Sequence, residues 1–284
     1  MIDINCIQDY KQLFLYHLNI ETPFINKVNY DKYVISLLND VDREENKLFK
    51  ELHTVGAYIN NNLVGFIQYG ISYIGFDTNG NLSNGINYQI IRQIYFTDEN
   101  VGKMLIEKAF NSFDDTSTIY AFFHYFGMSC FGSHGKLYSN NKVVENVLYN
   151  YGFEVEHENV CYSLNVKDNL TSNIKLQESI VNKANKQNIR FLENDHFIGE
   201  CEIHYVDDEN AYLRWIYIDN NIQHKGYGSK CMDKLQSYLF NKGIIRLHTD
   251  TANNNLIAQK YYEKNGFINK GITKSYYKGY TYEC

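Results

Sequence analysis

Residues 216–229 read Ile-Tyr-Ile-Asp-Asn-Asn-Ile-Gln-His-Lys-Gly-Tyr-Gly-Ser, and this stretch limits the fold more than any other. The apolar run at 212–218 predicts a strand, which ends in a polar turn. Beyond the glycines, Cys231, Leu235, Tyr238 and Leu239 recur at helical spacing. A strand, a glycine loop and a helix start in that order make an anion site. The first helical turn offers backbone N–H groups without helical partners, at the positive end of the helix dipole. Gly226 and Gly228 carry no Cβ, so the chain can turn sharply there and come close to a phosphate. Lys225 adds a point charge beside them.

A second segment gives the loop its context. Residues 244–249 predict a strand, and residues 255–267, Asn-Leu-Ile-Ala-Gln-Lys-Tyr-Tyr-Glu-Lys-Asn-Gly-Phe, predict a helix with a glycine stop. With both in view, residues 197–277 resemble the GNAT superfamily of acyl-CoA-dependent N-acetyltransferases. Gln223, Gly226 and Gly228 have the spacing of that family's pyrophosphate loop. Asn255, Ala258, Tyr262, Gly266 and Phe267 have that of its later helix.

Composition and charge narrow the class. At 284 residues the chain suits two domains of ordinary size, and 44% hydrophobic with 15% aromatic residues supports globular cores. A net charge of −6 argues against a nucleic-acid or anionic-membrane partner and suits a cationic amine. The six cysteines are scattered, which indicates neither a metal site nor a disulfide framework. No run reaches transmembrane length, so a cytoplasmic location is expected. Oligomeric state is not readable.

The pattern along the chain repeats. Residues 7–52 read as helical, including the charged run Asp42-Arg43-Glu44-Glu45 as a solvated face. There follow a hairpin within 54–70 with an asparagine turn, a Gly/Asn/Asp loop at 73–85, a strand at 86–96 and a helix at 101–113. A strand at 118–125, a helix at 142–149 and a strand at 155–166 complete this half. After a polar stretch at 165–173 and a helix at 174–185, the same order returns. It runs as a hairpin at 189–205, a strand at 212–218, a helix at 228–240, a strand at 244–249, a helix at 256–264 and a strand at 267–277. Gly65 aligns with Gly199, Gly102 with Gly228, and Gly152-Phe153 with Gly266-Phe267. The expected fold class is α/β of the mixed α+β kind. Two GNAT-like domains, residues 1–166 and 167–284, each carry a mixed, mostly antiparallel sheet flanked by helices. The first copy reads Asp98-Glu99-Asn100-Val101-Gly102 where the second has its loop. Two carboxylates there suit a helix start but repel a pyrophosphate, so the N-terminal half is not expected to bind CoA in the family's manner. The loop at 127–135, with Cys130 and His134, reads as a connection that could also face a substrate.

Acyl transfer from a thioester to an amine needs both reactants held together, a proton taken from the ammonium, and a proton given to the thiolate. The resemblance implies acetyl-CoA as donor, with no metal. It implies that backbone groups of Ile216, Tyr217 and Ile218 pair with the pantetheine arm. Those of Gln223, His224, Lys225, Gly226, Tyr227, Gly228 and Ser229 would hold the pyrophosphate, and Asn255 would touch the cofactor edge. It also implies Tyr262, seven residues after Asn255, as the acid for the thiolate, while Tyr261 packs. Many relatives carry a base glutamate eleven residues before the glutamine, where this chain has Tyr212. Strand alternation places Arg246, His248 and Asp250 on one face. His248 has the pKa range of a general base, and Asp250 could orient it or act itself. Glu202 and His204 on the neighbouring strand, or water, are the other options.

The leading expectation is an N-acetyltransferase acting on a small-molecule primary amine, with its chemistry in the C-terminal half. A non-catalytic acyl-CoA-binding or regulatory protein and a tandem aminoacyl transferase are the competing readings. The intact glycine loop and the acidic charge count against the last.

Overall fold

The computed structural model describes residues 2–23, 28–39, 41, 47–76, 82–83, 86–114, 117–131, 135–168, 173–181 and 185–279. Within these the chain divides into two compact units. One is drawn from residues 1–22, 28–158 and 273–284, the other from 23–27 and 159–272. Each has its own apolar cluster.

In the first unit the elements are β1 (Asp3–Cys6), α1 (Tyr10–Leu18), α2 (Tyr30–Asn39), β2 (Phe49–Ile59), β3 (Asn62–Ser72), the short pair β4 (Gly75–Phe76) and β5 (Leu82–Ser83), and β6 (Gln89–Phe96). They continue with α3 (Glu99–Phe110), β7 (Ile119–Ala121), β8 (Leu137–Tyr138), α4 (Lys142–Asn150) and the start of β9 (Glu154–Asn165). Its strands lie in the order β1-β2-β3-β6-β7, followed by the end of β15 (Ile268–Lys278). In the second unit the rest of β9 is followed by β10 (Lys175–Glu178), β11 (Lys186–Glu193), β12 (His196–Tyr205), β13 (Asn210–Ile218), α5 (Tyr227–Asn241), β14 (Arg246–Ala252), α6 (Leu256–Lys264) and the start of β15. The strand order there is β9-β14-β13-β12-β11-β10. Pairings are antiparallel except β6 with β7 and β13 with β14, which are parallel.

The repeat extends to the irregularities of the backbone. Each hairpin turns on two residues with positive φ, Asn60 and Asn61 in one unit and Asn194 and Asp195 in the other. This is the geometry that fits the twist of a two-residue β-hairpin. Gly65 lies opposite Phe96, and Gly199 opposite Ile218. Three pairs further along, Gln68 faces Gln93 and Glu202 faces Trp215. The register then slips by one, leaving Arg92 and Arg214 as the extra residues of two equivalent bulges. Each bulge arginine turns to the residue across from it. Arg92 Nη1 donates to Gln68 Oε1 at 3.3 Å, and Arg214 Nε lies 3.1 Å from Glu202 Oε1.

Several boundaries differ from the sequence expectation. The described part of the expected helix at 174–185, residues 174–181, is not helical: β10 pairs antiparallel with β11, completing the hydrogen bonds of what would be a bare edge. Ile174 is buried and Leu176 half-buried between exposed residues, a two-residue period too short to tell from a helical stripe. The helical stretch expected at 7–52 resolves into α1 and α2. By Phe49 the chain has entered β2, because the β2–β3 ladder runs back to Phe49 opposite Ser72. The expected strand at 118–125 stops at Ala121, where Phe122 takes φ 53° and a 3₁₀ turn follows at His124–Phe126. The expected loop at 73–85 holds the β4–β5 pair. Cys130 is buried in a second 3₁₀ turn, whereas His134 and the charged run 42–45 lie outside the described residues.

The end of the chain is tied into the first unit by one buried carboxylate. Glu145 on α4 receives hydrogen bonds from Lys142 (2.8 Å), Lys274 (2.7 Å) and the Tyr276 hydroxyl (3.1 Å). Burial pushes its carboxyl up, but the bonds from Lys142, Lys274 and Tyr276 outweigh that and hold it at about 2. A carboxylate held below its unfolded value stabilises the fold above that unfolded value, and the contribution is lost as pH falls toward the folded value. Urea unfolding should therefore show Glu145→Gln clearly less stable than the parent at pH 7. The difference should shrink as pH falls below the ordinary carboxylate range; a difference independent of pH would contradict the assignment.

Candidate functional site

In both units the parallel strand pair is short. β13 and β14 are in register only from Asn210 opposite Arg246 to Tyr212 opposite His248, and β6 and β7 only from Gln89 opposite Ile119 to Ile91 opposite Ala121. Beyond these pairs the strands part. A strand that loses one neighbour exposes a row of unpaired N–H and C=O groups.

The units differ in what occupies that parting. In the first, β6 is buried along its whole length. Phe122 N donates to Ile91 O at 3.0 Å, and the Phe122 ring lies 5.6 Å from Tyr95. Arg92 donates to Phe126 O (2.7 Å), Ser36 O (3.1 Å) and Gly127 O (3.4 Å), and Gln93 reaches Met128 Sδ at 3.2 Å. The residues after β7 are thus laced onto β6. Gly102 serves packing there, since a Cβ at that position would sit 2.4 Å from the Phe96 ring.

In the second unit β13 is buried through Leu213 and half-buried or exposed from Arg214 to Ile218, with Trp215 37% and Tyr217 42% exposed. Among the described residues no strand pairs with the β14-side edge of residues 214–218. The expected donor residues Ile216, Tyr217 and Ile218 lie on this open stretch.

The glycine loop follows directly. A 3₁₀ turn at Asn220–Ile222 is capped by Asp219, and Gln223 Nε2 donates to Ile218 O at 2.9 Å and Asn220 Oδ1 at 2.8 Å. Lys225 Nζ donates to Asn221 O at 3.0 Å. His224 has φ 60° and Gly226 φ 86°, so the chain reverses and enters α5 through a left-handed residue with no side-chain cap. A Cβ on Gly226 would meet nothing within 4 Å, whereas one on Gly228 would lie 2.9 Å from the Tyr261 ring. Gly226 therefore serves the turn and the open space, and Gly228 the close approach of α6. The Tyr261 hydroxyl donates to Gly228 O at 2.9 Å, fixing that approach. Tyr227 donates to Glu193 Oε2 at 2.6 Å, and Lys230 lies over its ring at 4.8 Å. Ser229 is half-buried in the first turn of α5.

On α6, Asn255 is the N-cap: its Oδ1 accepts from Ala258 N at 3.1 Å. Tyr262 is buried, its ring 5.7 Å from Tyr162 and 5.3 Å from Phe267. Burial pushes its hydroxyl pKa up, while a hydrogen bond with Thr249 pulls the other way.

Register separates the candidate acid from the candidate bases. Leu247 faces Leu164 and Thr249 faces Tyr162 across the β14–β9 pair, on the side packed by α5 and α6. His248 faces Ser163 and Asp250 faces Cys161, on the opposite side. Tyr262 thus approaches β14 from the helix side at Thr249, and Asp250 leaves the neighbouring residue on the other side. His248 is buried level with the last parallel pair, its Nε2 3.4 Å from Asn210 Oδ1. Asp250 is half-buried two residues further along, beside the parting, and accepts hydrogen bonds from Tyr212 Oη and Asn159 Nδ2. Glu202, Arg214's partner, and His204, opposite Tyr212, are buried. Among the described residues no cluster of His, Cys, Asp and Glu has the arrangement of a metal site, and no helix is long and apolar enough to cross a membrane.

Comparison with known proteins fits this geometry. Residues 155–267 match the Acetyltransferase (GNAT) family. Over those residues the chain is similar to the GNAT family. A [ribosomal protein bS18]-alanine N-acetyltransferase of Haemophilus ducreyi is 33% identical over 90 residues, which is 32% of this chain and 61% of that relative's length. Two solved structures align over the whole chain and share its fold. A tandem GNAT protein from the clavulanic acid biosynthesis pathway has TM-score 0.64 and 10% identity, covering 98% of each chain. A GCN5-related N-acetyltransferase from Sphaerobacter thermophilus has TM-score 0.60 and 7% identity, covering 98% of this chain and 95% of its own. The protein is thus a tandem GNAT fold, with the second GNAT unit parted and open and the first filled.

Gly226→Val tests the loop directly. A branched residue in the left-handed region costs about 1–2 kcal/mol and would fill the open space. Isothermal titration should give one equivalent of acetyl-CoA bound by the parent and at least about tenfold weaker binding by the variant. Equal binding by both would remove the loop from the site.

Proposed function

We propose that this protein transfers the acetyl group of acetyl-CoA to a primary amine, with the chemistry in the C-terminal unit. The observation that carries the reading is the parting of β13 from β14, open along Arg214–Ile218, with the uncapped start of α5 beside it. The pantetheine arm pairs with the open edge of β13 as an added strand would. The pyrophosphate rests on the N–H groups of residues 223–229, where the helix dipole favours an anion. The thioester then lies at the parting, with Tyr262 on the helix side and the other side left to the amine. Tyr262, a phenol that is protonated at neutral pH and that burial keeps so, gives its proton to the departing thiolate. His248 and Asp250 flank the amine's side. The filled parting of the first unit and the Asp98 and Glu99 carboxylates at the start of α3 make that unit a scaffold without its own CoA.

The acceptor is an amino group on a small molecule or a protein. The relative named for ribosomal protein bS18 and the neighbour from the clavulanic acid biosynthesis pathway span that range. A cytoplasmic setting goes with the five described cysteines, all free thiols.

Tyr262→Phe is the test. With a panel of polyamines, amino acids and peptides as acceptors, turnover should fall by about 10²-fold or more while the acetyl-CoA Kd stays within a few-fold. Unchanged turnover would remove Tyr262 from the chemistry. Binding of acetyl-CoA by the parent without transfer to any amine would favour an acyl-CoA-binding protein.

A further inference from the structure

We infer that Asp250 is the group that takes the ammonium's proton, and that Tyr212 and Asn159 are positioning residues that hold its carboxylate ionised beside the parting. The inference rests on the acetyltransfer reading and deepens it. Asp250, Tyr212 and Asn159 come from three different strands, β14, β13 and β9, and meet on one side of the sheet. Tyr212 stands opposite His248, and Asp250 is two residues beyond His248 on the same face. Asn159 is two residues from Cys161, which stands opposite Asp250. The Tyr212 hydroxyl and the Asn159 amide both donate to the carboxylate. Tyr212 cannot compete for the proton, because burial and the Asp250 charge hold its own pKa well above the ordinary tyrosine value. It stays a donor.

A second observation points to an incoming donor. Asn159 is 8% exposed, and its Oδ1 has no hydrogen-bond partner among the described residues. With Nδ2 committed to Asp250, the remaining atom is a buried acceptor, the kind of group an ammonium satisfies. His248, in contrast, sits within the last parallel pair, opposite Tyr212, and is buried.

The proton balance closes. The ammonium loses one proton to Asp250, which later releases it to water. The amine nitrogen attacks the thioester carbon, the C–N bond forms and the C–S bond breaks. Tyr262 protonates the thiolate and recovers its proton from the nitrogen.

Removing a hydrogen bond to a carboxylate raises its pKa, by about one unit for a well-placed donor. The charged and titratable groups around Asp250 are Tyr212 and Arg214 on β13, Cys161 on β9, His248 on its own strand and Tyr262 from α6. All remain in Asn159→Ala, and all but the phenol in Tyr212→Phe. The experiment is a carboxyl ¹³C titration of aspartate-labelled protein, with Asp250 assigned through Asp250→Asn. It is paired with the pH profile of kcat on the amine panel, and thermal melts establish that each variant is folded. Both variants should titrate Asp250 about one unit higher than the parent, and the acid limb of kcat should move up equally with the acetyl-CoA Kd unchanged. Turnover by the parent with an unmoved Asp250 titration in both folded variants would overturn the inference alone, as would an acid limb that ignores the shift. No turnover of any amine by the parent would sink the acetyltransfer reading and Asp250's role with it.

Discussion

The structure turns on a parallel pairing that stops early. β13 and β14 share three residue pairs and then separate, at the point where the Arg214 bulge adds twist to β13. Thr249 and Asp250, the two residues of β14 just beyond that pairing, each reach a candidate site residue. Thr249, the first β14 residue beyond the pairing, bonds Leu213 O at 2.9 Å and also meets Tyr262 from the helix side. Its neighbour Asp250 meets Tyr212 from the other side. One alternating strand therefore meets Tyr262 on one face of the sheet and Tyr212 on the other.

The first unit shows what the same frame becomes when the gap is filled. It keeps the positive-φ turn, the glycine pair and the bulge arginine. Arg92, however, spends its donors on carbonyls of the chain that follows β7, and Phe122 and Tyr95 occupy the space between the strands. A carboxylate-capped α3 replaces the open α5 start. The two units thus differ less in topology than in the free edge of the central strand, left unpaired in one and covered by the protein's own loop in the other.

Much of this was legible from residue order, and the reasons are local. The α6 boundaries, Leu256–Lys264, follow from an N-cap asparagine and a glycine stop, and the repeat follows from glycines that recur before equivalent strands. The alternation that puts His248 and Asp250 on one face holds in the register. The bulges were not legible, because a bulge is a mismatch between two partners and leaves no mark on either strand alone. Nor was β10, whose four residues carry too short a period, nor the reversal at Phe122, a phenylalanine in a backbone region that residue type disfavours. The convergence of Tyr212, Asn159 and Asp250 depends on three strands far apart in sequence, and only the pairing order brings them together.

The central claim is that the donor adds to the free edge of β13 and to nothing equivalent in the first unit. Backbone amide hydrogen exchange, with and without acetyl-CoA, measures this edge by edge. Protection should appear at residues 214–218 and 223–230 and be absent at residues 92–96 and 99–102. Protection at 92–102, or none at 214–218 under conditions where the donor is bound, would contradict the account.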